Sequence, residues 1–225
     1  MSEFLGTTST LVSLRVLLIG AGMTIAVSLV AIALGFAIAA PVCAARLSHH
    51  GGLRGIGAVY ISIFRGVPLL VQLLVVYYLL PFVGLELPSF VAAAIALGMC
   101  TAAYQAENLR GGFLIIPPGH GAAAHAFGYG RMQTWRHILL PQALRAASPA
   151  LVNEMIAILK ASSLVSVVGV ADLTRVSQNI VARNMQPIQW YSTAAAIYLV
   201  INLALAAASR MGERRLGRGM ARVTL

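Results

Sequence analysis

The sequence predicts an all-α, polytopic membrane protein that crosses the bilayer five times, and two observations carry that prediction. Hydrophobic residues make up 59% of the 225 and charged residues only 10%, against roughly 25% charged in soluble domains. The apolar residues also gather into runs of the length a helix needs, about 20 residues, to cross a hydrocarbon core in which only internally bonded backbone is tolerated. A mean hydropathy of +0.85 agrees.

The five spans lie near 14–45, 58–80, 88–109, 141–160 and 187–210. The first has no charge between Arg15 and Arg46, far beyond the roughly 7–15 apolar residues of a signal peptide. Because Glu3 stands where a basic leader would be expected, the span is read as uncleaved, although "AIAAPVCAA" resembles a cleavage site. Turn residues in "RLSHHGGLRG" separate it from the second span, where Pro68 follows "RG" and is expected to introduce a kink. The Tyr77–Tyr78 pair near the outer end of that span reads as an interfacial belt. "PFVGLELPS" then turns the chain into the third span. Between the fourth and fifth spans, "ASSLVSVVGVAD" (161–172) is uncharged but too short to cross; it reads as a helix and turn packed on the outer side, partly re-entrant. With no internal repeat or low-complexity linker, residues 1–225 read as a single transmembrane domain.

Orientation follows from the arginines, which concentrate on the cytoplasmic side of span ends. Loop 46–57 carries Arg46 and Arg54, loop 110–140 carries Arg110, Arg131 and Arg136, and the tail carries Arg210, Arg214, Arg215, Arg218 and Arg222. The opposite segments hold only Arg15, Arg175 and Arg183. The expected topology is N-terminus outside and C-terminus cytoplasmic. The net charge of +10 comes from sixteen basic and only six acidic residues, a scarcity of acid that suits anionic lipid headgroups and gives no sign of a nucleic-acid surface.

Enzymatic motifs are missing. No GxxxxGK[ST] loop cradles a nucleotide, no GxSxG elbow occurs, and Ser162–Ser163 has no histidine nearby. His49, His50, His120, His125 and His137 lack the i, i+4 spacing of a helical metal pair, so no metal site is expected. Cys43 and Cys100 sit in separate apolar runs and make no disulfide framework. The chain reads as a transporter without a catalytic centre or bound cofactor of its own.

The segment "GHGAAAHAFGYGRMQTWRHILLP" (119–141) is too polar to cross and too apolar for a solvated loop. Read as helices, 119–127 and 132–140 form two short amphipathic pieces separated by "GYG", where Gly128 and Gly130 permit a tight change of direction. Ala122, Ala123, Ala124 and Ala126 allow close backbone approach, and Phe127 projects as a knob. By physics alone this is either a surface-lying membrane segment or a docking element for a soluble partner.

Five stretches resolve that choice by resemblance: "FRGVPLLVQL" (64–73), "AYQAENLRGGF" (103–113), "IPPGHGAAAHAFGYGRMQTWRHILLPQALR" (116–145), "NEMIAILKASSLVSVVGVADL" (153–173) and "MGERRL" (211–216). Together they resemble the polar amino acid permease family of ATP-binding-cassette importers, over about residues 20–215. The resemblance implies that loop 111–140 is an EAA-type coupling loop whose short helix enters a groove on a separate ATPase subunit. It assigns Gly119, Ala122, Ala123, Ala124, Phe127, Gly128, Leu140 and Pro141 to ATPase coupling, with Ala123 and Ala124 matching the motif's alanines. Ala122 stands where the family has glutamate, which removes a charged contact. The resemblance further implies a bacterial inner-membrane location, pairing with itself or a paralogous permease, a solute-binding protein outside, and ATP with Mg on the ATPase. The implied cargo class is polar amino acids or opine-like solutes.

Candidate path residues follow from the cost of polar groups in lipid, at least ~2.5 kcal/mol for a charge at mid-span. Glu154, beside Asn153 in the fourth span, is placed to accept a hydrogen bond from a cationic amino group. The alternative readings are pairing to Lys160 or another helix, simple protonation, or a proton or cation site in a secondary transporter or channel. On the third span Thr101, Gln105 and Asn108 share a helical face beside Cys100, where lining the path and bonding between helices both fit. Arg65 and Glu107, each just inside the cytoplasmic end of its span, are read as an ion pair, with snorkelling of Arg65 to headgroups as the alternative.

Overall fold

The structure, a computed structural model, describes residues 2–217, so Arg218 and Arg222 of the basic tail lie outside the described residues. Among these residues it is built from helices: α1 (Ser2–Leu47), α2 (Gly51–Gly66), α3 (Leu69–Phe82), α4 (Ser89–Leu114), α5 (Gly119–Ala126), α6 (Arg131–Gln133), α7 (Leu140–Ala161), α8 (Leu173–Asn184) and α9 (Pro187–Gly217). Four helical stretches are long and apolar enough to cross a membrane: Leu11–Leu47, Ser89–Leu114, Arg131–Val168 and Pro187–Ser209. The bent pair α2–α3 makes a fifth. The expected number of spans is reached, with one of them broken.

That break corrects the expectation of a kinked but continuous helix over 58–80. Pro68 disfavours helical geometry at the residue before it, and Val67 is extended at φ −96°, ψ 134°. The two halves diverge by 104°. Breaking a helix frees carbonyls at its end, and Gln72 compensates by donating its Nε2 to Phe64 O at 2.9 Å and Val67 O at 2.7 Å.

α4 is the central helix and packs against α1, α2, α3 and α7. Its inward face is almost all small: Ala92, Ala93, Ala96, Ala102, Ala103 and Ala106 are buried. Small residues let helix backbones approach closely, which is how helices associate where lipid removes the hydrophobic drive. At Gly112 an added Cβ would run into the Ala143 carbonyl oxygen of α7, and at Gly35 of α1 it would run into the Thr101 methyl. By contrast, Leu18, Ile19, Leu199, Val200 and Leu203 on α1 and α9 point outward, each more than half exposed, as lipid-facing side chains do.

α8 was not expected. The stretch after α7 tightens into a 3₁₀ helix, Ser162–Val168, turns at Gly169 (φ +84°) and enters α8 through Asp172. Asp172 caps α8, accepting hydrogen bonds from the backbone N–H of Thr174 (3.1 Å) and Arg175 (2.9 Å). The Tyr198 hydroxyl of α9 donates to the same carboxyl at 3.3 Å, and the Leu173 N–H donates to Thr24 Oγ1 of α1 at 3.0 Å. Burial pushes the Asp172 carboxyl above its ordinary pKa, with the cap and the tyrosine acting in the other direction. Three helices are thereby fastened at one end of the bundle.

Candidate functional site

The polar residues singled out within the spans converge only in part. Thr101, fully buried on α4, donates its hydroxyl to Glu154 Oε1 of α7 at 3.0 Å. Gln105, one turn further along α4, is also fully buried, and neither its amide nitrogen nor its oxygen has a hydrogen-bond partner. Cys100 turns towards the helix break, its sulfur 3.7 Å from Phe64 O. Asn153 is exposed on α7, and Asn108 donates to Ala150 O at 3.3 Å. The contact between Glu154 and Thr101 is therefore the centre of the group, with Gln105 and Cys100 flanking it.

Gln72 was missed because a lone glutamine among leucines and valines carries no motif; its signal was position, four residues after Pro68. Replacing it with leucine should remove the donor shared by the Phe64 and Val67 carbonyls, at about 1 kcal/mol for each part-buried hydrogen bond lost. The expected outcome is a lowered melting temperature in detergent, with Gln72→Glu, which retains an acceptor but loses the donor, no better than leucine.

The expected Arg65–Glu107 pair does not form. Glu107 is gripped by Arg110, whose Nη2 lies 2.7 Å from Oε2, and by Arg46 of α1, whose Nε lies 3.4 Å from Oε1. Arg65 instead lies over the Tyr104 ring, 5.1 Å from its centroid. The reason is rotational: Arg110 sits one turn beyond Glu107 on the same helix, and α1 presents Arg46 to that face, whereas the side of α2 bearing Arg65 faces Tyr104. In double-mutant cycles by thermal denaturation, Arg46→Ala and Glu107→Ala should couple by about 1 kcal/mol, whereas Arg65→Ala and Glu107→Ala should be additive.

The 119–140 region forms an elbow. α5 follows Pro117–Pro118 and ends at Phe127 and Gly128, whose φ of +82° is the left-handed conformation that favours glycine. Ala124 is buried, whereas Gly119, Ala122 and Ala123 are exposed and Phe127 is 84% exposed. The second half differs from expectation: 132–140 is no separate helix. α6 passes through a π-helical turn, Thr134–Leu139, directly into α7, with Leu140 and Pro141 half-buried at the join. A widened turn just before Pro141 relieves the clash its ring would make with the His137 carbonyl in a regular α-helix. One helical rod thus runs from Arg131 to Val168, carrying Glu154 about 21 Å beyond Leu140 at 1.5 Å per residue.

A cavity of about 890 Å³ lies away from Glu154, behind α5 between the ends of α1 and α4 and the root of α7. Among the described residues no three His, Cys, Asp or Glu side chains are grouped so as to hold a metal ion.

Comparison with known proteins follows the same architecture. Residues 31–218 match the family model described as binding-protein-dependent transport system inner membrane component. The chain is 37% identical over 200 residues to the L-cystine transport system permease protein TcyB of Bacillus subtilis, covering 88% of this chain and 86% of that one. It is 36% identical over 206 residues to the glutamine transport system permease protein GlnP of Escherichia coli, covering 91% and 94%. Among solved structures it superposes on an amino acid ABC transporter crystallised with histidines at a TM-score of 0.85 and 34% identity, covering 92% and 97%. The inward-facing MetNI methionine ABC transporter shares the fold at a TM-score of 0.76 and 23% identity, covering 90% and 96%.

Proposed function

The chain belongs to the family of binding-protein-dependent transport system inner membrane components, and on that premise we propose that it is the permease subunit of an ATP-driven importer of polar amino acids or their opine derivatives. Its relatives are named for cystine, glutamine and octopine transport. The partners in this reading are two ATPase subunits that hold ATP and Mg, a second permease, and a solute-binding protein outside. The N-terminus faces outward and the C-terminus the cytoplasm, and residues 1–225 act as one domain.

The observation that carries the mechanism is the unbroken rod from Arg131 to Val168. The ATPase groove receives α5, with Phe127 as the knob and the exposed Ala122–Ala123 surface beside it. Closure of the ATPases on ATP displaces the elbow, and because α6 runs into α7 that displacement tilts the helix bearing Glu154. The Glu154 carboxylate, oriented by Thr101, binds the cargo's α-amino group, and the tilt exposes it alternately to the two sides. Gln105, Cys100 and Asn153 form the surrounding polar path. With alanine at position 122, the elbow docks without the acidic contact, led by Phe127 and the exposed Ala122–Ala123 surface.

The test is co-purification of the full chain with an ATPase subunit from the same organism, followed by reconstitution in liposomes with the binding protein. ATP-dependent uptake with hydrolysis stimulated by loaded binding protein is expected. Ion-gradient-driven uptake by the permease without ATP would instead make Glu154 a proton or cation site.

A further inference from the structure

The cavity behind the elbow takes no part in that mechanism, yet it is built like a site. One wall is α1, where Phe36, Ala40 and Leu47 line a groove about 16 Å long at 1.5 Å per residue. Phe113 of α4 and Leu140 and Leu144 of α7 close the other side. The exposed part of the lining is basic and polar: His49 and His50, between α1 and α2, and Arg131 at the start of α6. In the wall near Arg131 sits Thr134, only 3% exposed, whose hydroxyl has no hydrogen-bond partner. That hydroxyl is enclosed by the wall, so the polar groups open to a ligand are those of the rim.

We propose that this cavity binds an anionic phospholipid, with an acyl chain along the α1 groove and the phosphate held by Arg131 and the His49–His50 pair. An apolar trench opening at a basic rim matches an anionic amphiphile in both charge and polarity. The cavity also lies at the span ends that carry Arg46, Arg54, Arg110 and Arg131, where basic pockets between helices select anionic headgroups. Gly121 and His125 of α5 form part of the same lining, so the lipid joins the elbow to α1. This proposal needs a membrane but is independent of the cargo and of the ATPase.

Trp135 also lines the cavity, stacked on Phe113 with ring centroids 5.9 Å apart. The chain has two tryptophans, so Trp190→Phe leaves Trp135 as the sole reporter in full-length protein in nanodiscs. Phosphatidylglycerol with brominated acyl chains should half-saturate quenching at a mole fraction at least about fivefold below that of brominated phosphatidylcholine, given roughly 1 kcal/mol per basic contact. Arg131→Gln with His49→Gln and His50→Gln, all at exposed positions, should bring the two lipids level. Ala44→Phe, which places a ring in the α1 groove, should weaken the saturable component for both. Equal quenching by the two headgroups in the unaltered site, a preference that survives the rim substitutions, or a saturable component unchanged by Ala44→Phe would overturn the proposal.

Discussion

Replacing Glu154 with alanine is expected to lower ATP-dependent uptake by about 100-fold, while the assembled importer still purifies intact. A carboxylate at this depth, bonded at 3.0 Å to the buried Thr101 hydroxyl, acts where water screens little, and truncating one partner of a desolvated charged contact costs about 2–5 kcal/mol. Glu154→Gln separates the contributions. It keeps an oxygen to accept from Thr101 but loses the negative charge, so it should fold normally yet transport only slightly better than alanine. Thr101→Val, which removes the orienting donor and leaves the charge, should lose about tenfold, the worth of one hydrogen bond of roughly 1.4 kcal/mol. Uptake measured with labelled substrate in proteoliposomes decides this. Wild-type rates for Glu154→Ala would take the carboxylate off the path.

The largest effect on folding is expected at Gly112. A Cβ there would meet the Ala143 carbonyl oxygen and lie 3.0 Å from the Ala147 methyl. The first obstacle is helix backbone, which cannot swing aside as the tip of a long side chain does. Gly112→Val must push α4 away from α7, at about 3 kcal/mol for overpacking a tight interface. The same displacement would pull Thr101 from Glu154. Loss of thermal stability and of transport together is the expected result, whereas Gly66→Ala, where an added Cβ meets nothing within 4 Å, should have little effect on either. A Gly112→Val protein with an unchanged melting temperature would mean that α4 and α7 do not approach this closely.

These effects show what could and could not be read along the chain. Long apolar runs defined the spans well: 88–109 became Ser89–Leu114 and 187–210 became Pro187–Gly217. Pro68 announced a disruption, but its size depended on Gln72 healing the break, a contact that periodicity does not reveal. The elbow's second half looked like a loop helix because Arg131, Gln133, Arg136 and His137 are polar and "LP" resembles a helix start. Its continuity with α7 rests on a widened turn that has no composition signal. α8 was lost because counting arginines treated 161–186 as a connection, although Asp172 before "LTR" is a helix-capping pattern. The partner of Glu107 was illegible for another reason. Several arginines lie at that end of the bundle, and only the rotation of each helix decides which ones reach the carboxylate.

Transport by this mechanism requires α5 and the rod behind it to carry force from an ATPase to Glu154. The direct measurement pairs two rates in one liposome preparation: ATP hydrolysis and substrate uptake by the importer with Phe127→Asp, compared with wild type. Phe127 is 84% exposed, so the substitution leaves the permease fold alone while placing a charge in the proposed groove. Uptake should fall by at least about tenfold, since burying an unpaired carboxylate costs several kcal/mol, and hydrolysis should no longer respond to loaded binding protein. Uptake and stimulated hydrolysis both at wild-type rates would contradict the account.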